Sequence, residues 1–227
     1  MRELQKIIGY SFRDLSLLET ALTHTSYANE VWKDGLRSYE RLEFLGDSIL
    51  GFTTADYLIG AFPALHEGEL TKLRAELVCE ASLAETAKKL KLGDYLRLGK
   101  GEEAGGGRQR ISIIADVVEA VIAAIYLDGG LGAAKRFIYD HVLVDVKDRV
   151  RLNADYKTML QELVQQKKNQ VLSYELLGES GPDHDKEFSV RVLLNGSPVG
   201  TGSGSSKKRA EQAAARQAVE RLYPGTL

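Results

Sequence analysis

The segment SIIADVVEAVIAAIYLDGG (112–130) most restricts what this chain can become. Its apolar residues cover nearly every face of a helix, so that helix belongs at the centre of a packed domain. Yet it carries Asp116 and Glu119, whose three-residue spacing puts both on one side. An ionised carboxylate in apolar surroundings costs several kcal/mol unless something neutralises it. The segment has no basic residue to do so.

A second acidic set lies in SYERLEFLGDSILGF (38–52). On a helix, Glu40, Glu43 and Asp47 fall within roughly 60° of one another. Leu42, Leu45, Ile49 and Phe52 occupy the opposite, core side. A solvated polar face would explain such a stripe. Against that reading, no Lys or Arg stands four residues from Glu43 or Asp47 to relieve the repulsion, and Phe44, Gly46 and Gly51 flank the stripe. Asp116 and Glu119 tip the balance, because the economical arrangement has the two acidic sets facing each other across a cleft around divalent cations. The donors are all oxygens, which favours Mg²⁺, with Mn²⁺ as a substitute, over zinc. Four carboxylates match two divalent ions, a combination suited to phosphodiester hydrolysis.

Overall charge does not identify a partner. The 227 residues sum to −2. Residues 1–155 hold 20 Lys+Arg against 24 Asp+Glu, or −4, and residues 156–227 hold 10 against 8, or +2. No apolar run approaches the roughly 20 residues of a membrane span. The charged start MRELQKIIGYSFRDL lacks a signal-peptide core. With a single cysteine, Cys79, no internal disulfide is available, and a cytoplasmic protein is expected.

Periodicity divides the chain. FRDLSLLETALTH, EGELTKLRAELVCEASLAETAKKL and LGAAKRFIYDHVLVDVKDRV repeat apolar residues at helical spacing, so an all-α domain is expected over 1–150. After a linker at 151–155, residues 156–225 read as a small α+β domain, α-β-β-β-α. Leu172, Tyr174 and Leu176 alternate in one strand, and Phe188, Val190, Val192 and Leu194 in the next. NGSP (195–198) turns into a Gly/Ser-rich third strand. A closing helix carries Ala210, Ala214, Ala218 and Leu222. GKGEEAGGGRQR (99–110) lacks the ending of a phosphate-binding P-loop and reads as a mobile loop, with Arg108 and Arg110 available to phosphate. His24 and Ser26 read as packing or hydrogen-bonding residues, and Trp32 has no assignable role.

ERLEFLGDS (40–48) resembles the signature of bacterial ribonuclease III, and ADVVEAVIAAIYLDGG resembles that family's second acidic segment. LTHTSYANE (22–30) and EGELTKLRAELV (67–78) resemble further family blocks in order. GPDHDKEF (181–188) and SSKKRAEQAAA (205–215) resemble the diagnostic stretches of a double-stranded-RNA-binding domain. The resemblance implies a helical endonuclease domain followed by an RNA-binding domain, in a hydrolase that cuts double-stranded RNA. The products implied are 5′-phosphate and 3′-hydroxyl ends with short 3′ overhangs, from ribosomal and messenger RNA precursors. It implies Glu43, Asp47, Asp116 and Glu119 as Mg²⁺ ligands, with Asp47 and Glu119 catalytic and Glu40 and Glu67 in supporting roles. Tyr39 stands where the family often has Asn, a departure at the signature's edge.

One acidic set addresses one strand, so a two-fold homodimer is expected to serve both strands of a duplex. Phe44 and Leu45 read either as core or as interface, with core the simpler role. For RNA, Gln161, Glu162 and Gln165 on the first helix of the second domain suit 2′-hydroxyls. His184 suits a second minor groove, and Lys207 and Lys208 suit phosphate at a helix start capped by Ser206. The competing reading is a protein that keeps the fold and binds duplex RNA without cutting. The presence of all four carboxylates argues against it.

Overall fold

The computed structural model describes residues 1–63, 65–144, 146, 150, 155–166, 169–182 and 186–224. They form two compact units, Met1–Val146 and Lys147–Leu227.

The first unit is built around the central helix Ile111–Gly129, with Ile113, Val117, Val118, Val121, Ile122 and Ile125 among its buried residues. Gly130, at φ 79°, ends it, a backbone angle that favours glycine. Leu15–Ala21, Glu40–Ala61, Glu80–Lys89 and Leu131–His141 all pack on this helix. The stripe helix Glu40–Ala61 carries Glu40 and Glu43 in its first turn, where acids complement the helix dipole. It stops just before Phe62-Pro63.

The seam between the stripe helix and the central helix runs along Leu42, Gly46, Ile49, Leu50 and Thr53, all buried. It does not lie opposite the acids, as the sequence reading has it. Phe44 (76% exposed) and Phe52 (55%) therefore face solvent and are not core. The run 67–90 is two helices, Glu67–Val78 and Glu80–Lys89, separated by Cys79 in an extended conformation at ψ 155°. Glu69 starts the first of these by accepting from the His66 N–H at 3.0 Å.

Residues 99–110 are not a free loop. They contain the short helix Lys100–Ala104 and a 3₁₀ turn, Gly107–Gln109. Arg108 pairs with Glu103 and donates to the Leu96 carbonyl at 2.9 Å, and Arg110 pairs with Glu102 at 2.8 Å. Those guanidiniums are held by the protein itself. Trp32 meets Tyr27 edge-on, with the Arg37 guanidinium 4.5 Å above its ring centroid.

Among the described residues of this unit, Asp128 is the buried acid, at 5% exposure. It accepts from Tyr10 Oη at 2.7 Å and from the backbone N–H groups of Arg13 (3.0 Å) and Asp14 (2.8 Å). Burial pushes its carboxyl upward, but these three donors and the Arg13 charge outweigh burial and hold it down at about 2. A carboxyl held below its usual value stabilises the fold above that value, and the contribution disappears as pH falls through about 2. Asp128→Ala is therefore expected to lower stability at pH 7 by about 2 kcal/mol or more. In denaturant titrations the gap to the unsubstituted protein should narrow from about pH 4 downward. An equal gap at pH 7 and pH 2.5 would contradict this account.

In the second unit the strands β1 (Leu172–Ser180), β2 (Glu187–Leu194) and β3 (Ser197–Gly204) form an antiparallel sheet in the order β1-β2-β3. Asn195 and Gly196, at φ 51° and 79°, make the tight turn between β2 and β3. The sheet packs against the helices Tyr156–Gln165 and Lys207–Leu222 through Leu160, Val164, Val190, Val192, Ala210, Ala214 and Ala218. Gly202 has the Ala214 backbone nitrogen only 2.2 Å from where a Cβ would sit, so the closing helix lies almost flat on β3. Leu176 is 45% exposed although it pairs with buried Val190, and the β1 register shifts just beyond it, between Leu176 and Gly178.

Candidate active site

Gly46 decides how closely the two acidic segments meet. A Cβ there would lie 1.8 Å from the Glu119 carbonyl oxygen, so the stripe helix presses directly on the backbone of the central helix at its acidic residue. Glu43 and Asp47 lie three residues before and one after this contact, on its border, and Asp116 lies one turn from Glu119. Residues 69 or more positions apart in sequence thus bring their carboxylates within electrostatic reach of one another.

The carboxyls record that proximity. Glu119 is pushed up to about 8, by burial first and then by Asp47, Glu43, Asp116 and Glu80. Glu43 is raised by burial, then by Asp116, Asp47 and Glu40. Asp116 is raised by burial, partly offset by a hydrogen bond that the Tyr39 hydroxyl donates to its Oδ2 at 3.2 Å. Among the described residues, no Lys or Arg makes an ion pair with any of the four.

Such a set fits a hard divalent cation: it is all oxygen, partly buried and, among the described residues, without a Lys or Arg ion pair. Among the described residues no three His, Cys, Asp or Glu side chains are already closed into a metal cage. The repulsion between the acids opposes closure until positive charge arrives.

Glu80 was not anticipated in the sequence. It opens the helix Glu80–Lys89 on the side shared with buried Leu83, Ala84 and Ala87, and its charge acts on both Asp116 and Glu119. Tyr39, read as marginal to the signature, instead contacts Asp116. Glu40 acts on Glu43. Glu67 is not among the groups acting on the cluster. It accepts from Thr71 Oγ1 at 2.8 Å and lines a groove of about 250 Å³ with Leu58, Ile59, Leu70 and Arg74. His24 Nδ1 accepts from the Ser26 N–H at 3.1 Å.

In the second unit, Gln161, Glu162 and Gln165 are exposed, on the side away from buried Leu160 and Val164. Lys207 and Lys208 are exposed in the first turn of the closing helix, where Ser206 accepts from the Arg209 N–H at 3.3 Å. Gln212, donating to the Asp155 carboxylate, and to a lesser degree the Lys208 charge, hold that carboxyl below its usual value. His184 and residues 151–154 of the expected linker lie outside the described residues.

Comparison with known proteins agrees with both units. A family described as Ribonuclease-III-like matches residues 14–146, and one described as Double-stranded RNA binding motif matches residues 156–222. The chain is 45% identical over 221 residues to Ribonuclease 3 of Listeria monocytogenes serotype 4a (strain HCC23), covering 97% of this chain and 96% of the relative. It is 50% identical over 222 residues to Ribonuclease 3 of Carboxydothermus hydrogenoformans, covering 96% and 94%. Among solved structures, the nuclease domain of ribonuclease III from Campylobacter jejuni aligns with a TM-score of 0.58 at 40% identity, over 62% of this chain and 94% of that one. That structure is described as showing flexibility in a region involved in dimer formation. A helical unit carrying paired acidic helices, an RNA-binding unit after it and full-length relatives together place this chain in the ribonuclease III family of double-stranded-RNA endoribonucleases.

Proposed function

We propose that this endoribonuclease is Mg²⁺-dependent, with Mn²⁺ able to substitute, and leaves 5′-phosphate and 3′-hydroxyl ends with short 3′ overhangs. Glu43, Asp47, Asp116 and Glu119 would hold the cation, with Asp47 and Glu119 nearest the chemistry. The observation that carries this reading is the contact of Gly46 with the Glu119 backbone, which brings two acidic helices face to face. When bound, the cation supplies the Lewis acidity that phosphodiester hydrolysis requires. Around it, the apolar packing of the central helix limits water, and the Tyr39 hydroxyl orients Asp116. Glu40 adds charge beside Glu43.

Residues 1–150 would cut while residues 156–225 grip the duplex through Gln161, Glu162, Gln165, His184, Lys207 and Lys208. A homodimer would present two acidic sets to the two strands. Exposed Phe44, Ile59 (66%) and Leu36 (73%) on the nuclease unit, and the groove holding Glu67, supply apolar surface for it. Among the described residues no helix is long and apolar enough to cross a membrane. Processing of ribosomal and messenger RNA precursors in the cytoplasm is the setting proposed.

The test is an end-labelled RNA duplex incubated with the protein in Mg²⁺, in EDTA and in EDTA followed by excess Mn²⁺. Cleavage is expected in the first, absent in the second and restored in the third. Cutting that persists in EDTA would remove the metal from the reaction.

A further inference from the structure

We propose that Tyr39 is a positioning residue that ties the two acid-bearing helices together and holds Asp116 ready for the cation, a role that rests on the metal reading above. Its backbone and its side chain act on different segments. The Tyr39 carbonyl accepts from the N–H groups of Leu42 and Glu43, both at 2.8 Å, and so starts the helix from which Glu43 and Asp47 project. The hydroxyl of the same residue donates to Asp116 Oδ2 at 3.2 Å, across 77 positions of sequence.

Tyr39 is itself pinned. Its N–H donates to the Thr23 carbonyl at 2.9 Å, and its ring lies 5.6 Å from the His24 imidazole, centroid to centroid. His24 is fixed in turn by Ser26, whose Oγ accepts from the Gly99 N–H at 2.9 Å. At 4% exposure, the ring has little freedom to swing away.

Packing alone would be served as well by Phe, so the hydroxyl needs a reason. A buried phenol must find a partner, and here the partner is the one Asp among the four proposed ligands that lies on the central helix. With Oδ2 engaged, the Asp116 carboxylate is oriented, while its other oxygen stays available. Groups that orient a metal ligand from behind typically contribute 10–100-fold to metal affinity.

The experiment is calorimetric titration of Mn²⁺ into the full chain without RNA, well below the melting temperature, for the unsubstituted protein, Tyr39→Phe and Asp116→Asn. Melting curves in EDTA accompany each. Tyr39→Phe is expected to bind Mn²⁺ ~10-fold more weakly, with its melting temperature in EDTA little changed. If Tyr39→Phe binds Mn²⁺ as the unsubstituted protein does while Asp116→Asn binds it poorly, the positioning role is overturned and the metal site stands. If Asp116→Asn also binds Mn²⁺ undiminished, the metal reading fails and the role of Tyr39 with it.

Discussion

Gly46→Ala is expected to cost about 3 kcal/mol of stability and to reduce duplex cleavage at least ~100-fold. The added methyl would sit 1.8 Å from the Glu119 carbonyl oxygen and 2.4 Å from the Glu119 carbonyl carbon. Backbone cannot rotate out of the way as a long side chain can, so the stripe helix must lift off the central helix. The lift separates Glu43 and Asp47 from Asp116 and Glu119, and displacements of ~1 Å at reacting groups cost about two orders of magnitude in rate. In a unit of this size the stability loss should appear as a fall in melting temperature of roughly 10 °C. Gly51→Ala is the matched control. It lies on the same helix with nothing within 4 Å of the new Cβ, so it should leave stability equal or raise it by up to ~1 kcal/mol. Should Gly46→Ala melt and cut like Gly51→Ala, the close helix crossing is not what assembles the site.

That crossing also separates what could be read in the sequence from what could not. Asp116 and Glu119 stood out because charge in an apolar helix is costly wherever that helix packs, and no detail of packing is needed to see it. Glu43 and Asp47 were legible through the lack of compensating bases. The exposure of Phe44 and Phe52 was not, because periodicity reports that a helix has two sides, whereas Gly46 sets which direction is buried. A glycine in a helix is only a weak sign of close approach until the partner is known.

Glu80 and Tyr39 were hidden for a different reason. Glu80 sits in a segment rich in exposed acids, with Glu76 before it and Glu85 after it, and nothing local marks it as the one beside Asp116. The turn at Cys79 that aims its helix contains neither glycine nor proline. Tyr39 acts on a residue 77 positions away, so only the folded arrangement reveals its partner. In the 99–110 stretch, five glycines suggested mobility, but Arg108 and Arg110 supply the hydrogen bonds and charge pairs that hold it. In the second unit the alternation of β2 and the alanine stripe of the closing helix were readable, since sheet and helix bury one side each. The register shift in β1, just after Leu176, carried no signal beyond Gly178.

Glu119→Gln is expected to have opposite effects on activity and on metal-free stability. Cleavage should drop by ~10³-fold or more if, as proposed, Glu119 helps hold the cation, since the substitution removes its charge. In EDTA the variant should instead be the more stable protein at high pH. A carboxyl pushed up to about 8 makes the fold most favourable while protonated; the advantage is full below the usual carboxylate range and is lost as pH rises through about 8. Glutamine never pays that ionisation penalty. Discounted for partial exposure and for relaxation of the coupled acids, the difference at pH 9 amounts to about 2 kcal/mol, and at pH 5 the two proteins should converge. Mn²⁺ added at pH 8 should then raise the melting temperature of the unsubstituted protein more than that of the variant. A Glu119→Gln protein less stable than the original in EDTA at pH 9 would mean that this carboxylate supports the fold. The acids would then be structural, and the strain that calls for a cation would be absent.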